Sequence, residues 1–281
     1  MREPSARPDP AYLAAWQQWH DALERERRDP YGYLAFSAVY ALGDAAERFP
    51  GVPGAWALED GRPVVLLDSG ESTEVEGRQL TGRHVFEPVQ ERVEYRHAAR
   101  VGDVVLELSK RGGQTLLRPL DPGLGLRERY VETPCFEPTA EWVVDGAFVP
   151  FAEPRDQRIE TAIAGIVHSY PAVGELVFRA GDGEQRLVVF SPDLDEFRTE
   201  PVSRGITFFT DATGGVTTEP DTRALAVQLP SAGGPVVIDF NRSYNMECAY
   251  TPYSPCSLAP QQNRLSIEVT AGEQSPVIRA A

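Results

Sequence analysis

The sequence predicts a mainly β (α+β) fold, an antiparallel β-barrel or sandwich with a helical N-terminal segment, and three observations carry this expectation. Short apolar runs are punctuated by glycine turns such as Glu59-Asp60-Gly61, Gly112-Gly113 and Gly181-Asp182-Gly183. Beyond the N-terminus no long helices alternate with these runs, which argues against parallel βαβ architecture. The clearest helical periodicity lies at the start, where Tyr12, Leu13, Trp16, Trp19 and Leu23 form one apolar stripe.

Asp9 followed by Pro10 reads as a cap and first turn for that helix, because Asp accepts from free N–H groups and proline lacks one. Asp21/Arg25 and Glu24/Arg28 support its solvated face, and Asp29-Pro30 stops it. A second helix is expected from Leu34 to about Glu47, before Pro50. Ala55 to Leu67 then reads as a hairpin, and Arg92 to Ala98 and Val104 to Leu108 as strands. A further hairpin returns at Thr115 to Arg118, with Lys110-Arg111-Gly112-Gly113 at its tip. Residues 119–126 read as a connector. Strands follow at Ile159–His168, Glu175–Arg179, Gln185–Phe190, Ile206–Phe209, Pro235–Phe240 and Leu265–Val269. The organisation expected is a helical segment 1–50, a small β lobe 51–120 and a larger β lobe 127–281, with one continuous domain as the alternative.

A formal charge of -15 speaks against a nucleic-acid partner, whose phosphates demand a basic face, and against an anionic membrane surface. The partners this leaves are a small-molecule ligand or substrate, or a second copy in a homo-oligomer. Lys110 is the single lysine, so lysine-based covalent chemistry would have to use it. The N-terminus MREPSARPDP has no apolar export core, and no apolar run approaches the ~18 residues of a membrane span. With three cysteines, an odd number, the expectation is a cytoplasmic protein with reduced thiols.

Nucleophile elbows, P-loops, HExxH and helix-opening GxGxxG motifs are absent. His20, His84, His97 and His168 show no ligand spacing, so no metal and no cofactor are expected. On its tryptophan-bearing helix, His20 reads as a packing residue, whereas His168 stays open between structure and function. Cys248 and Cys256 are not at zinc-knuckle spacing and read as free thiols, with a disulfide as the lesser alternative. Residues 239–265 stand apart as a long polar loop punctuated by proline. If it lines a cavity, Asp239 and Tyr244 are the proton-transfer pair. Asn241, Arg242, Asn245, Tyr250, Tyr253, Asn263 and Arg264 are then the substrate-binding set, with arginine forks matched to anions. The same side chains satisfy backbone groups in self-packed loops, so a structural role stands beside the functional one.

The block Asp239-Phe240-Asn241-Arg242-Ser243-Tyr244-Asn245, Cys248-Ala249-Tyr250-Thr251-Pro252-Tyr253, Cys256, Asn263-Arg264-Leu265 and Ala271-Gly272-Glu273 resembles the signature of DUF1684, an uncharacterised family of bacteria and archaea. Phe209 to Gly214 and Pro30 to Leu34 resemble its upstream motifs more weakly. The chain departs from the pattern at Met246-Glu247, where the family has a proline pair, and at Gln262, where it has glutamate. The resemblance implies no reaction. Three readings follow: a cofactor-independent enzyme acting on a small polar or anionic molecule in a β-barrel cavity, as in a biosynthetic pathway; a lipocalin-like, non-catalytic small-molecule binder; and a structural or assembly protein without a pocket.

Overall fold

The computed structural model describes residues 8–92 and 94–280, the side chains of 94–97 excepted. The readings placed on residues 1–7 and on the His97 side chain lie outside this set. The chain forms two compact units. One comprises the N-terminal helix as far as Glu24 with residues 131–249 and 256–277; the other comprises 25–130, 250–255 and the C-terminal end.

The helix spans Pro10–Arg27, and Asp9 caps it by accepting from the Ala11 and Tyr12 amides at 2.7 and 3.0 Å. The first unit is built on a seven-stranded antiparallel sheet. Its order is Gly234–Asp239, Val143–Glu160, Val167–Ala180, Gly183–Phe190, Val202–Phe209, Arg223–Pro230 and Tyr244–Asn245. Side chains alternate across a strand, and here both faces are covered. Leu187, Val189 and Phe209 join one core with Phe148, Leu176 and Phe240, while Val188, Phe190 and Phe208 join a second with Ile159 and Ala172.

In the second unit, one sheet runs in the order Tyr40–Ala41, Gln114–Leu120, Val104–Arg111, Glu94–Val101, Thr73–Val75, Arg78–Leu80. The other runs Glu47–Arg48, Ala55–Glu59, Arg62–Leu66, Arg83–Val85. Trp56, Val65 and Phe86 pack with Leu106, Leu108 and Leu117 between them, so the two sheets share one core. The sheets are open. The mainly β expectation thus takes its sandwich form, and a cavity inside a closed barrel does not arise. No helix among the described residues is long and apolar enough to cross a membrane.

Several local expectations are corrected. Leu34 to Glu47 is not a helix: after a short turn at Tyr33–Ala35 the chain extends, and Tyr40 and Ala41 pair with Leu117 and Leu116. Tertiary pairing there overrides local propensity. Lys110 lies within a strand opposite Thr115, and only Gly112-Gly113 form the tip, both at positive φ. Ile159–His168 is not one strand but the end of one and the start of the next. Leu265–Val269 keeps its alternating burial without a ladder, because its bonds go to the turn at 210–212.

Buried within the second unit, Glu107 and Arg118 face each other across adjacent strands; Arg118 Nε donates to Glu107 Oε1 at 2.8 Å and its guanidinium lies 4.1 Å from the Phe36 ring centroid. Removing one charge leaves the other desolvated. Glu107→Leu is therefore expected to lower the unfolding free energy by roughly 3–5 kcal/mol in urea titrations, and Glu107→Leu/Arg118→Met together by markedly less.

Candidate metal centre

The polar loop divides into separate tasks. Asp239 caps the turn Phe240–Arg242, accepting from the Asn241 amide at 3.2 Å, and its two oxygens receive the Tyr12 hydroxyl at 2.9 and 3.0 Å. Asn241 donates from Nδ2 to the Thr139 carbonyl at 2.9 Å and accepts the Thr139 amide at 3.1 Å. Its own carbonyl accepts Trp16 Nε1 at 2.8 Å. Asp239 and Asn241 thereby tie the N-terminal helix to the sheet. Burial, then the charge of Asp239, pushes the Tyr12 phenol well above its ordinary value. Arg242 Nε lies 3.3 Å from Asp239.

Asn263 is fully buried where the strands Gly183–Phe190 and Val202–Phe209 part, their ladder holding only at Phe190↔Ile206. Its Oδ1 accepts the Val188 amide at 2.7 Å, and its Nδ2 donates to the Val188 and Phe208 carbonyls, each at 2.9 Å, and to Thr207 Oγ1 at 3.0 Å. One amide side chain replaces the missing rungs. Tyr244 packs against the Ile159 and Phe190 cluster. Arg264 is exposed. Tyr250 and Tyr253 belong to the second unit, where the Arg27 guanidinium lies 5.1 Å from the Tyr250 ring centroid. His168 Nδ1 is 3.1 Å from both Tyr170 Oη and Ser257 Oγ, a buried cluster that fixes residue 257.

A different set of residues converges deeper in the first unit. Arg223, 1% exposed, donates to Asp211 Oδ2 at 2.5 Å and to the Ala271 and Val269 carbonyls at 2.6 and 3.2 Å. Asp211 Oδ1 accepts the Val269 amide at 3.0 Å and the Thr213 hydroxyl at 2.7 Å. These bonds set the path of residues 269–273. Gly272 takes a left-handed conformation (φ +74), and a Cβ there would run into the Ser243 carbonyl, so only glycine fits. Glu273 follows, fully buried, its amide donating to the Ser243 carbonyl and its Oε2 accepting the Asn245 amide at 2.8 Å. Asn245 Nδ2 donates to the Gln274 carbonyl at 2.7 Å.

Cys135 forms a β-bridge with Glu273, and His20 reaches the same place from the helix. One ligand atom each of His20, Cys135 and Glu273 lies within 4.8 Å of the others. The His20 ring stacks on Trp16, with centroids 5.6 Å apart and planes 6° apart, and its Nε2 is 3.2 Å from the Thr133 carbonyl. A carbonyl only accepts, so Nε2 carries the proton in this contact and Nδ1 the lone pair. An ion would be bound through Nδ1, or through Nε2 once that contact is released. Such a partner on the other ring nitrogen is the usual support of a metal-bound histidine. Burial pushes Arg223 down from its ordinary value, while the charges of Asp211, Glu273 and Cys135 hold its proton.

Residues 128–274 match the family described as a protein of unknown function, DUF1684. The chain belongs to this family. A solution NMR structure of an uncharacterised protein from gene locus rrnAC0354 of Haloarcula marismortui is similar, with 26% identity over 53% of this chain and 78% of that chain and a TM-score of 0.42. No curated protein matches. The DUF1684 match contains Cys135, Asp211, Arg223 and Glu273, whereas His20 comes from outside it. Sequence spacing could not find this trio, since its members are dispersed over most of the chain. The Ala271-Gly272-Glu273 step of the DUF1684 block was its nearest sequence signal.

Two outcomes test the structural assignments. Asn263→Ala leaves several buried groups without partners and is expected to cost about 3 kcal/mol in chemical unfolding. Tyr12→Phe is expected to be destabilising at neutral pH. Because the folded-state pKa of Tyr12 is raised, its contribution is present below the ordinary value near 10 and is lost as pH climbs beyond it. The stability gap between wild type and Tyr12→Phe should therefore narrow above that pH.

Proposed function

We propose that the first unit is a metal-dependent enzyme acting on a small polar or anionic molecule, with His20, Cys135 and Glu273 as ligands of a zinc-type divalent ion. The observation that carries this reading is the convergence of one nitrogen, one sulfur and one carboxylate oxygen within 4.8 Å. That donor set suits zinc, and three protein ligands leave a fourth position open, the pattern of catalytic rather than structural sites. His20 and Cys135 are half-buried and Glu273 is enclosed, so solvent and substrate would approach from the side of the former pair. A bound zinc ion lowers the pKa of its water to about 7 and polarises carbonyl or phosphoryl oxygens, which makes hydrolysis or hydration the reaction class. Arg242, on the same loop as Asn245, is the candidate anchor for an anionic substrate group. A cytoplasmic setting and self-association belong to this reading as expectations.

A second reading rests on a separate cavity of about 410 Å³ in the second unit. Val75, Phe86, Val89, Ala98 and Leu108 line it together with the polar Glu76, His84 and Glu87. It supports non-catalytic binding of a small, mostly apolar molecule.

Titration with cobalt(II) decides for or against the metal centre. The wild type should develop an intense near-ultraviolet thiolate-to-cobalt band that Cys135→Ser abolishes. In calorimetry His20→Ala should weaken zinc binding beyond the ~10–100-fold typical of outer-shell changes. Equal zinc affinity in wild type and both variants would refute the assignment, and a metal-loaded protein that turns over no small ester, amide or phosphoester would refute its enzymatic part.

A further inference from the structure

Cys248 and Cys256 lie outside the metal centre and take no part in it. Cys248 sits in the turn Glu247–Ala249 and is half-buried; Cys256 is 6% exposed. The Cys248 amide donates to Cys256 Sγ at 3.1 Å, which holds the Cys256 sulfur against the Cys248 backbone. Both are held by backbone anchored elsewhere. The Cys256 carbonyl accepts the Ala162 amide at 3.0 Å, and the next residue, Ser257, bridges Thr161 and bonds to His168 and Tyr170. On the other side, the Ala249 amide closes a turn onto Met246 at 3.0 Å, and Tyr244 and Asn245 pair with Ala224 and Arg223. Two cysteines joined by this contact at the ends of a short loop need little movement to bond.

We infer that Cys248 and Cys256 form a reversible intramolecular disulfide site, oxidised by a low-molecular-weight disulfide of the glutathione class. The hydrogen bond with Cys248, together with burial, pushes the Cys256 thiol well above its ordinary value, so it stays protonated. Cys248, the more accessible of the two, is the entry thiol. Its thiolate attacks one sulfur of the small disulfide, forming a mixed disulfide and releasing one thiolate, which takes up the proton lost by Cys248. Cys256 then gives up its proton and attacks the Cys248 sulfur, displacing the second small thiol. Two electrons and two protons pass from the protein to the oxidant, which leaves as two thiols. The bond closes the loop of residues 249–255.

The test uses the full reduced chain, incubated folded with glutathione disulfide, alkylated with N-ethylmaleimide and read by intact and peptide mass spectrometry. The expected product has lost two hydrogens, has its Cys248 and Cys256 peptides crosslinked, retains an alkylated Cys135, and reverts fully with dithiothreitol. Cys256→Ser should trap a glutathione adduct on Cys248, and Cys248→Ser should leave Cys256 alkylated only after unfolding. Alkylation of all three cysteines in the oxidised wild type would overturn the inference. So would a stable glutathione adduct on wild-type Cys248, or a crosslink to Cys135. The protein is stripped of metal beforehand, so none of these readouts depends on metal binding and the two proposals fail independently.

Discussion

The buried pair of Arg223 and Asp211 is the constraint on which the rest of the first unit depends. Neither charge can be removed alone without leaving the other desolvated, and the guanidinium has no room to leave, lying 5.1 Å from the Phe209 ring centroid. What the pair achieves is directional. Residues 265–271 run beside the sheet without a ladder of their own, so their polar backbone needs partners. Arg223 donates to the carbonyls of Val269 and Ala271 while Asp211 accepts the Val269 amide. The segment is thereby set in one path, and Gly272 turns it so that Glu273 enters the interior.

That interior placement has an electrostatic consequence. Asp211, Glu273 and Cys135 all lie close enough to Arg223 to act on its charge. In the proposed reading, a divalent cation between His20, Cys135 and Glu273 would sit where these negative groups converge. The same logic separates the roles of the loop. Asp239, Asn241 and Asn263 spend their hydrogen-bonding capacity on helix docking and strand bridging, while Glu273 is presented to neighbours from two other parts of the chain.

Where signals were local, they were legible in the sequence. Asp9-Pro10 opened a helix, and Asp60-Gly61 and Gly112-Gly113 closed hairpins, whereas the alternation of Leu265, Ile267 and Val269 read as a strand that the segment does not form. Local signals misled where distant pairing decided: Tyr40 and Ala41 join a sheet edge that their helical neighbourhood does not announce. The longest strand, Val143–Glu160, was hidden because Pro150 and Pro154 interrupt its pattern, and its register shifts in that stretch. The site was the least legible part. Asp239, Asn241 and Asn263 stood out because polar residues crowd that loop, and their hydrogen bonds run to the N-terminal helix, to Thr139 and to the parting strands. His20 looked like helix packing, and it does stack on Trp16, but that stacking also orients its ring beside Cys135 and Glu273. A trio assembled from a helix, a bridge residue and a C-terminal turn leaves no spacing to read.

X-ray absorption at the zinc edge of the zinc-loaded protein tests the central claim most directly. The account predicts one sulfur at about 2.3 Å with nitrogen and oxygen neighbours at about 2.0–2.2 Å, and the loss of that sulfur in Cys135→Ser. A shell of oxygen and nitrogen alone, unchanged in Cys135→Ser, would contradict it.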